Sequence, residues 1–168
     1  MIVVKVGGSL YDHTRLGPGL QGFLASLPEP VLLVPGGGDF ANSVRKLDAL
    51  HDLGEESCHW LTLHAMNLAG EFLNRLGIST PILDAGAFDS DLPHSWNVTS
   101  DSIAARAAIV HGASRLILLK SIDIPPGTDW TDAAQRGWVD PHFPKIVAGE
   151  VRLTIEAVNF RRRLQEVV

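Results

Sequence analysis

The chain has one cysteine, Cys58, no apolar run of membrane length and no long basic stripe. A lone cysteine excludes an intrachain disulfide and a cysteine-based metal cage. Nothing approaches the roughly 20 apolar residues of a membrane span. The opening apolar run, Ile2 to Val6, ends in glycines and is too short for a signal peptide, so a cytoplasmic location is the default expectation. A net charge of −5 argues against nucleic acid as the main partner. Neither the P-loop spacing nor Gly-x-Gly-x-x-Gly occurs, so a nucleotide site would have to be of another kind. There is no internal repeat, low-complexity tract or linker. At 168 residues, 45% apolar and 20% charged, the chain reads as one ordinary globular domain, 1–168.

What is present is glycine in a particular place. Ile2-Val3-Val4-Lys5-Val6 runs into Gly7-Gly8-Ser9, and Val31-Leu32-Leu33-Val34-Pro35 runs into Gly36-Gly37-Gly38. Both apolar runs are β-rich and too short for helices, so both predict buried strands. Without a Cβ, a glycine turn leaves its N–H groups uncovered. Such groups gathered at a strand end make a nest for anionic oxygens. Two nests suggest one phosphate chain held from two sides; two tight strand-to-helix turns is the plainer alternative.

The remaining pattern alternates. Apolar spacing predicts helices over Thr14 to Leu27, Asp39 to about Leu53 (stopped by Gly54), Ser57 to Leu76, Ser102 to Val110 (capped by Ser100) and Phe160 to Val168. Strands are expected at Val31 to Val34, Arg115 to Leu119, Val151 to Val158 and, briefly, at Pro81 to Leu83. Asp84 to Ser95 and Ser121 to Trp138 read as loops. Alternation of this kind implies a three-layer α/β sandwich with a mostly parallel sheet. Ligands then sit beyond the carboxyl ends of the strands, where both glycine clusters, Asp101 and Lys120 can lie.

Several side chains there admit two readings. Lys5 is a cation inside an apolar strand: either it offsets phosphoryl charge or it reaches solvent from a sheet edge. Asp101 either caps its helix or orients Lys5 or a magnesium ion. Lys120 is either a second positive charge or a solvent-facing strand end. The helix opening at Gly36-Gly37-Gly38-Asp39 favours an anion through its first-turn amides and dipole. Arg45 suits an acceptor phosphate as a planar fork, or lies with Lys46 on a solvated face. Trp96 could stack on a flat acceptor or pack in the core, and His94 flanks it. His59 and His64, five apart, read as helix packing, and Arg161-Arg162-Arg163 as a solvated helix end.

Taken in order, Lys5-Val6-Gly7-Gly8-Ser9, Gly36-Gly37-Gly38 and Thr99-Ser100-Asp101-Ser102 resemble the amino acid kinase family. Val34 to Asn42, Val44 to Asp48, Met66 to Glu71, His94-Ser95-Trp96, Val139-Asp140 and Phe143-Pro144 are similar to its small kinases of methanofuran biosynthesis, over nearly the whole chain. The resemblance implies a carbamate-kinase-like fold and ATP- and Mg2+-dependent transfer to a small phosphate acceptor, a furan methyl phosphate. It implies catalytic roles for Lys5, as the phosphate-binding lysine, and Asp101, which organises the catalytic lysines. Together with the reading of the residues above, this gives Lys5, Asp101 and Lys120 as the expected catalytic residues, Gly7, Gly8, Ser9, Gly36, Gly37, Gly38, Ser121 and Asp123 at the nucleotide, and Arg45, His94, Trp96, Asn97 and Thr99 at the acceptor. No protein ligand to a metal is implied, and a homo-oligomer is expected from the apolar Ser57 to Leu76 helix. The chain departs from the family at Lys120-Ser121-Ile122-Asp123-Ile124, where a Thr-Asp-Val-Asp-Gly-like turn is usual. It is shorter around 84–94 and 121–138, and Lys145 is the nearest counterpart of a late family lysine. A kinase of another acceptor (a carboxylate or a nucleoside or isoprenoid monophosphate) and a non-catalytic nucleotide-binding protein are the alternative expectations.

Overall fold

The computed structural model describes residues 1–88 and 91–166. The expected loop over 84–95 and terminal helix over 160–168 run onto 89–90 and 167–168, which lie outside the described residues.

Four strands form one parallel sheet: β1 (Ile2–Val6), β2 (Val31–Pro35), β3 (Arg115–Lys120) and β4 (Thr154–Asn159), in the order β2-β1-β3-β4. Among the described residues, seven helices accompany them: α1 (Leu16–Ala25), α2 (Gly38–His51), α3 (Glu55–Arg75), α4 (Ser100–Val110), α5 (Trp130–Gln135), α6 (Phe143–Val147) and α7 (Phe160–Glu166). A short 3-10 turn, Gly8–Leu10, follows β1.

Side chains alternate across the sheet and define two cores. Ile2, Val4, Val6, Ile117 and Leu119 face α1 and α7, packing with Leu16, Leu20, Phe23, Phe160 and Leu164. Val3, Val34, Leu116 and Leu118 face α3, α4 and α6, packing with Leu63, Met66, Ala104, Ala108 and Phe143. Helices on both faces of a parallel sheet give the expected three layers, and explain why β1 and β3 are apolar on both sides. By the same alternation Lys5 follows Val3 and Lys120 follows Leu118. Both lysines therefore leave neighbouring strands on the α4 face. Lys5 pairs in register with Leu118, so Lys120 sits two residues further toward the carboxyl edge.

Several boundaries differ from the sequence reading. α2 ends at His51 and is capped by Asp52, which adopts φ 51°, with the Asp48 carboxylate accepting from the N–H groups of Leu53 and Gly54. Gly54 instead precedes α3, at φ 82°. Thr99, not Ser100, caps α4, its hydroxyl accepting from the Asp101 N–H. The loop expected over 121–138 contains α5, capped by Asp129, which accepts from Thr131 and Asp132. β4 begins at Thr154, and Val151, expected inside it, is exposed. Pro81 to Leu83 contributes only a parallel bridge, Leu33 to Ile82. No helix among the described residues is long and apolar enough to cross a membrane.

The two glycine turns touch. A Cβ built on Gly8 would lie 2.3 Å from the Gly38 Cα and 2.4 Å from its nitrogen, both backbone atoms with nowhere to go. Gly8→Ala should therefore cost about 3 kcal/mol in denaturant unfolding, the upper range for overpacking. Gly22, exposed in α1 with open space around it, is the control: Gly22→Ala should raise stability by about 0.5–1 kcal/mol.

Candidate active site

The strand order places β2 to one side of β1 and β3 to the other, so connections diverge between β1 and β3. In an open parallel sheet the crevice beyond such a divergence is where ligands bind. Lys5 and Lys120 flank that crevice, and the start of α4 lies over it.

Asp101 joins the two lysines. The Lys5 Nζ lies 2.9 Å from its Oδ1 and the Lys120 Nζ donates to its Oδ2 at 2.6 Å. All three side chains are buried. Burial acts to raise the Asp101 carboxyl, but the two ammoniums outweigh it and hold the group below its usual range. Lys120 is pushed down to about 8, first by burial and then by the nearby Lys5 charge, against the pull of Asp101. The clasp itself, two ammoniums on one carboxylate, carries a net positive charge, and the buried Asp140 carboxylate also pulls Lys120 upward.

Directly above run the glycine turns. The Gly7 N–H donates to the Leu119 carbonyl at 2.8 Å and that of Gly36 to Val6 at 2.8 Å, so these two amides belong to the sheet. The following ones, at Gly8 and Ser9 and at Gly37 and Gly38, open short or regular helices, whose first-turn N–H groups have no intrahelical acceptor. Gly38 has φ 54°, and a Cβ there would meet the Tyr11 ring at 2.8 Å. The Tyr11 hydroxyl donates to the Gly36 carbonyl at 2.6 Å, which fixes the second turn from beneath.

A cleft of about 370 Å3 opens from these turns between α2, α3 and the start of α4. Gly38, Ala41, Asn42 and Arg45 line it from α2; Glu55, Cys58, His59, Thr62, Leu63 and Met66 line it from α3. Both sets follow helical spacing, one stripe on each helix. The Arg45 guanidinium lies 4.8 Å from the centre of the Trp96 ring, and the Trp96 Nε1–H donates to Asp48 at 3.0 Å. Ser95 donates to Glu55 at 3.2 Å, and His94 pairs with Glu56 at 2.5 Å. The 94–96 segment is thus strapped to the α2–α3 corner by three carboxylates.

A second cavity, about 530 Å3, lies between the 123–126 segment and the β4–α7 junction. Asp123 lines it, accepting from Asn159 at 3.0 Å and pairing with Arg162 at 2.9 Å. The Ser9 hydroxyl donates to that of Ser121 at 2.9 Å, which ties the first glycine turn to the 120–124 turn.

The residues singled out in the sequence therefore fall into groups. Lys5, Asp101 and Lys120 meet at one point. Gly8, Ser9, Gly36, Gly37, Gly38, Arg45, Trp96 and Thr99 line the first cleft; Asp123 lines the second cavity. Asn97 is exposed and outside the cleft lining, and His94 stacks on His59 at 3.8 Å rather than facing the cleft. Lys145 borders a separate depression with Thr131 and Pro144. The arginine triplet is not simply solvated: Arg161 pairs with Asp12, Arg162 with Asp123, and Arg163 lies over Phe23.

Two roles escaped the sequence reading. His59 was expected to serve helix packing, and it lines the cleft; the α3 stripe at three- and four-residue spacing is its only sequence signal. Asp140 is buried, and its carboxylate accepts six hydrogen bonds, from Thr99 N–H and hydroxyl, Ser102 N–H and hydroxyl, and the N–H groups of His142 and Phe143. It clamps the first turn of α4, and so fixes where Asp101 stands. No local pattern reveals partners 38 and 41 residues earlier.

A lysine-clasped carboxylate under two amide-rich turns, at the carboxyl edge of an open α/β sheet, is an arrangement suited to anionic oxygens. The chain is 28% identical, in an alignment 144 positions long that covers 73% of this chain and 67% of the relative, to the (5-(aminomethyl)furan-3-yl)methyl phosphate kinase of Methanocaldococcus jannaschii. Its fold matches the crystal structure of uridylate kinase from Archaeoglobus fulgidus, with a TM-score of 0.65 at 15% identity over 97% of this chain and 93% of that one. No protein-family model matches the chain. In sequence and in fold the chain is similar to the amino acid kinase family, and the sequence similarity indicates a phosphotransferase.

Three outcomes follow from this geometry. Binding of ADP should weaken as pH rises through about 8, because the Lys120 nitrogen loses its proton there. Calorimetric titration from pH 7 to 9.5 checks this, and a flat affinity would exclude Lys120 from the phosphate site. Asp140→Asn puts an NH2 where three donors converge or leaves other donors unanswered, and should cost about 3 kcal/mol in unfolding. Asn97→Ala, exposed, should stay within about 0.5 kcal/mol.

Proposed function

We propose that the protein is an ATP-dependent small-molecule kinase that transfers the γ-phosphoryl group to the phosphate of a furan methyl phosphate. The observation that carries this reading is Asp101 set between Lys5 and Lys120 beneath two glycine turns. The uncovered amides of Gly8, Ser9, Gly37 and Gly38 hold phosphate oxygens. Lys5 and Lys120 offset the charge of the transferring group, and Asp101 keeps both ammoniums in place. An oxygen of the acceptor phosphate forms the new bond to the γ-phosphorus. The bond from that phosphorus to the β–γ bridging oxygen breaks, and ADP leaves with the electron pair. The acceptor phosphate is already ionised near pH 7, so no side chain needs to remove a proton from it.

The cavity beside Asp123 and Asn159 takes the nucleoside, with Ser121 and Ser9 between it and the phosphates. The cleft between α2 and α3 takes the acceptor, with Arg45 for its phosphate and Trp96 beside its ring; Thr99 contributes by capping α4. Among the described residues no three metal-ligating side chains come together, and Asp101 is occupied by lysines. Magnesium would enter with the nucleotide phosphates, the usual habit of that ion, and would offset part of their charge. A cytoplasmic, single-domain homo-oligomer completes the proposal. Leu47, Leu50, Trp60, Leu61 and Leu68, exposed on α2 and α3, offer a face for a second copy.

The test is ADP release with (5-(aminomethyl)furan-3-yl)methyl phosphate, and phosphorus NMR of the product for a diphosphate. Lys5→Ala should lower kcat/KM by about 1,000-fold or more with the melting curve still cooperative. Activity that survives in this variant removes Lys5 from the mechanism. ATP binding without ADP formation from any phosphate or carboxylate acceptor would leave a nucleotide-binding protein instead.

A further inference from the structure

The acceptor cleft is not uniformly cationic, and its charges are ordered along its length. The amide-rich turns and the N-terminus of α2 form its inner end. Arg45 lies seven residues along α2 from Gly38, roughly 10 Å at the helical rise. α3 runs back alongside α2: Cys58 donates to Asp48, which sets the two helices in register. Glu55, three residues before Cys58 on the cleft stripe, therefore stands at the outer mouth, beyond Arg45. Along α3 the lining changes from Met66 and Leu63 inside, through Thr62 and His59, to Glu55 outside.

A ligand that was anionic throughout would gain nothing from a carboxylate at its far end. The Thr62 Oγ1, enclosed on the same stripe, has no hydrogen-bond partner among the described residues. An enclosed hydroxyl of this kind asks for a polar ligand group. Helix polarity alone favours an acid in the first turn of α3, and Glu56 supplies one there that points to His94 instead. Glu55 is the acid that faces the cleft, steadied by the Ser95 hydroxyl at 3.2 Å.

We infer that Glu55 reads a cationic amine at the end of the acceptor opposite its phosphate, with Thr62 as a polar contact along the way. The site thereby selects zwitterionic acceptors: a phosphate inward, an ammonium outward and a flat ring between, beside Trp96. This rests on the kinase reading above and adds to it a specificity-determining residue.

The experiment compares two acceptors, (5-(aminomethyl)furan-3-yl)methyl phosphate and its analogue with methyl in place of aminomethyl. Each is measured by ADP release and, separately, by calorimetric binding without nucleotide. The unsubstituted protein should prefer the amine by ~30-fold or more in both measurements, as expected for a lost charge pair. Glu55→Gln should bring that ratio close to one, and Glu55→Asp should keep most of it. Circular dichroism verifies that the variants fold. Equal use of the two acceptors by the unsubstituted protein, or an undiminished preference in Glu55→Gln, overturns the inference. If neither acceptor is phosphorylated yet binding shows the preference and Glu55→Gln erases it, the kinase reading fails and the role of Glu55 stands. If transfer proceeds and Glu55→Gln keeps the preference, the role of Glu55 fails alone.

Discussion

Two lysines and one aspartate, all buried, set the terms for the rest of the molecule. Removing three charges from water is costly, and only close pairing makes it tolerable. Lys5 and Lys120 leave adjacent strands on the same face and repel each other across the crevice. Asp101 answers both, one oxygen each. Apolar replacements of such a group often match or exceed its stability. Stability is thus a weak reason for keeping it. A fixed positive field beneath uncovered amides is a stronger one, because it favours phosphoryl charge without having to reorganise.

The position of Asp101 is itself determined from a distance. α4 begins with several residues able to cap a helix, Thr99, Ser100 and Ser102. Asp140 selects among them by accepting from Thr99 and Ser102 at once. The same carboxylate accepts from His142 and Phe143, so the start of α6 is held by the atoms that hold the start of α4. The lysine clasp therefore depends on a segment that follows it by some 40 residues, and a shift of α6 would reach Asp101 through this single side chain.

How much the sequence revealed follows the range of the interactions. Strands β1, β2 and β3 were legible because they are apolar on both sides; that Lys5 and Lys120 share a face depends on the register, which sets Lys5 opposite Leu118. The touching glycine turns were legible as a pair, though not that Gly8 and Gly38 meet backbone to backbone. α5 was hidden behind Pro125, Pro126 and Gly127. Its six residues cohere through tertiary contacts, with Ala133 buried and the Trp130 ring edge-on to Phe143 at 5.2 Å. The end of α2 was misplaced because a glycine is the usual left-handed stop, whereas here Asp52 takes that conformation and Asp48 satisfies the amides beyond it. His59 and Glu55 were hidden for a further reason: a stripe lining a cleft has the same spacing as a stripe packing a core.

The strand order gives the proposed reaction its direction. Transfer between two phosphates needs donor and acceptor on opposite sides of the moving group, roughly in line. β1 and β2 end in the glycine turns, and β2 leads into α2, whose stripe walls the proposed acceptor cleft. β3 and β4 end beside Asp123 and Asn159, at the cavity proposed for the nucleoside. The lysine pair stands on β1 and β3, at the divide between those two halves. A sheet ordered β2-β1-β3-β4 thus separates the two ligands by topology alone and leaves their phosphates one place to meet. On this reading the short 121–138 segment bears on how the nucleoside is covered, whereas the altered 120–124 turn reaches further: its Lys120 belongs to the clasp and its Ser121 holds the first glycine turn. Neither includes Arg45 or Glu55, which wall the other cleft.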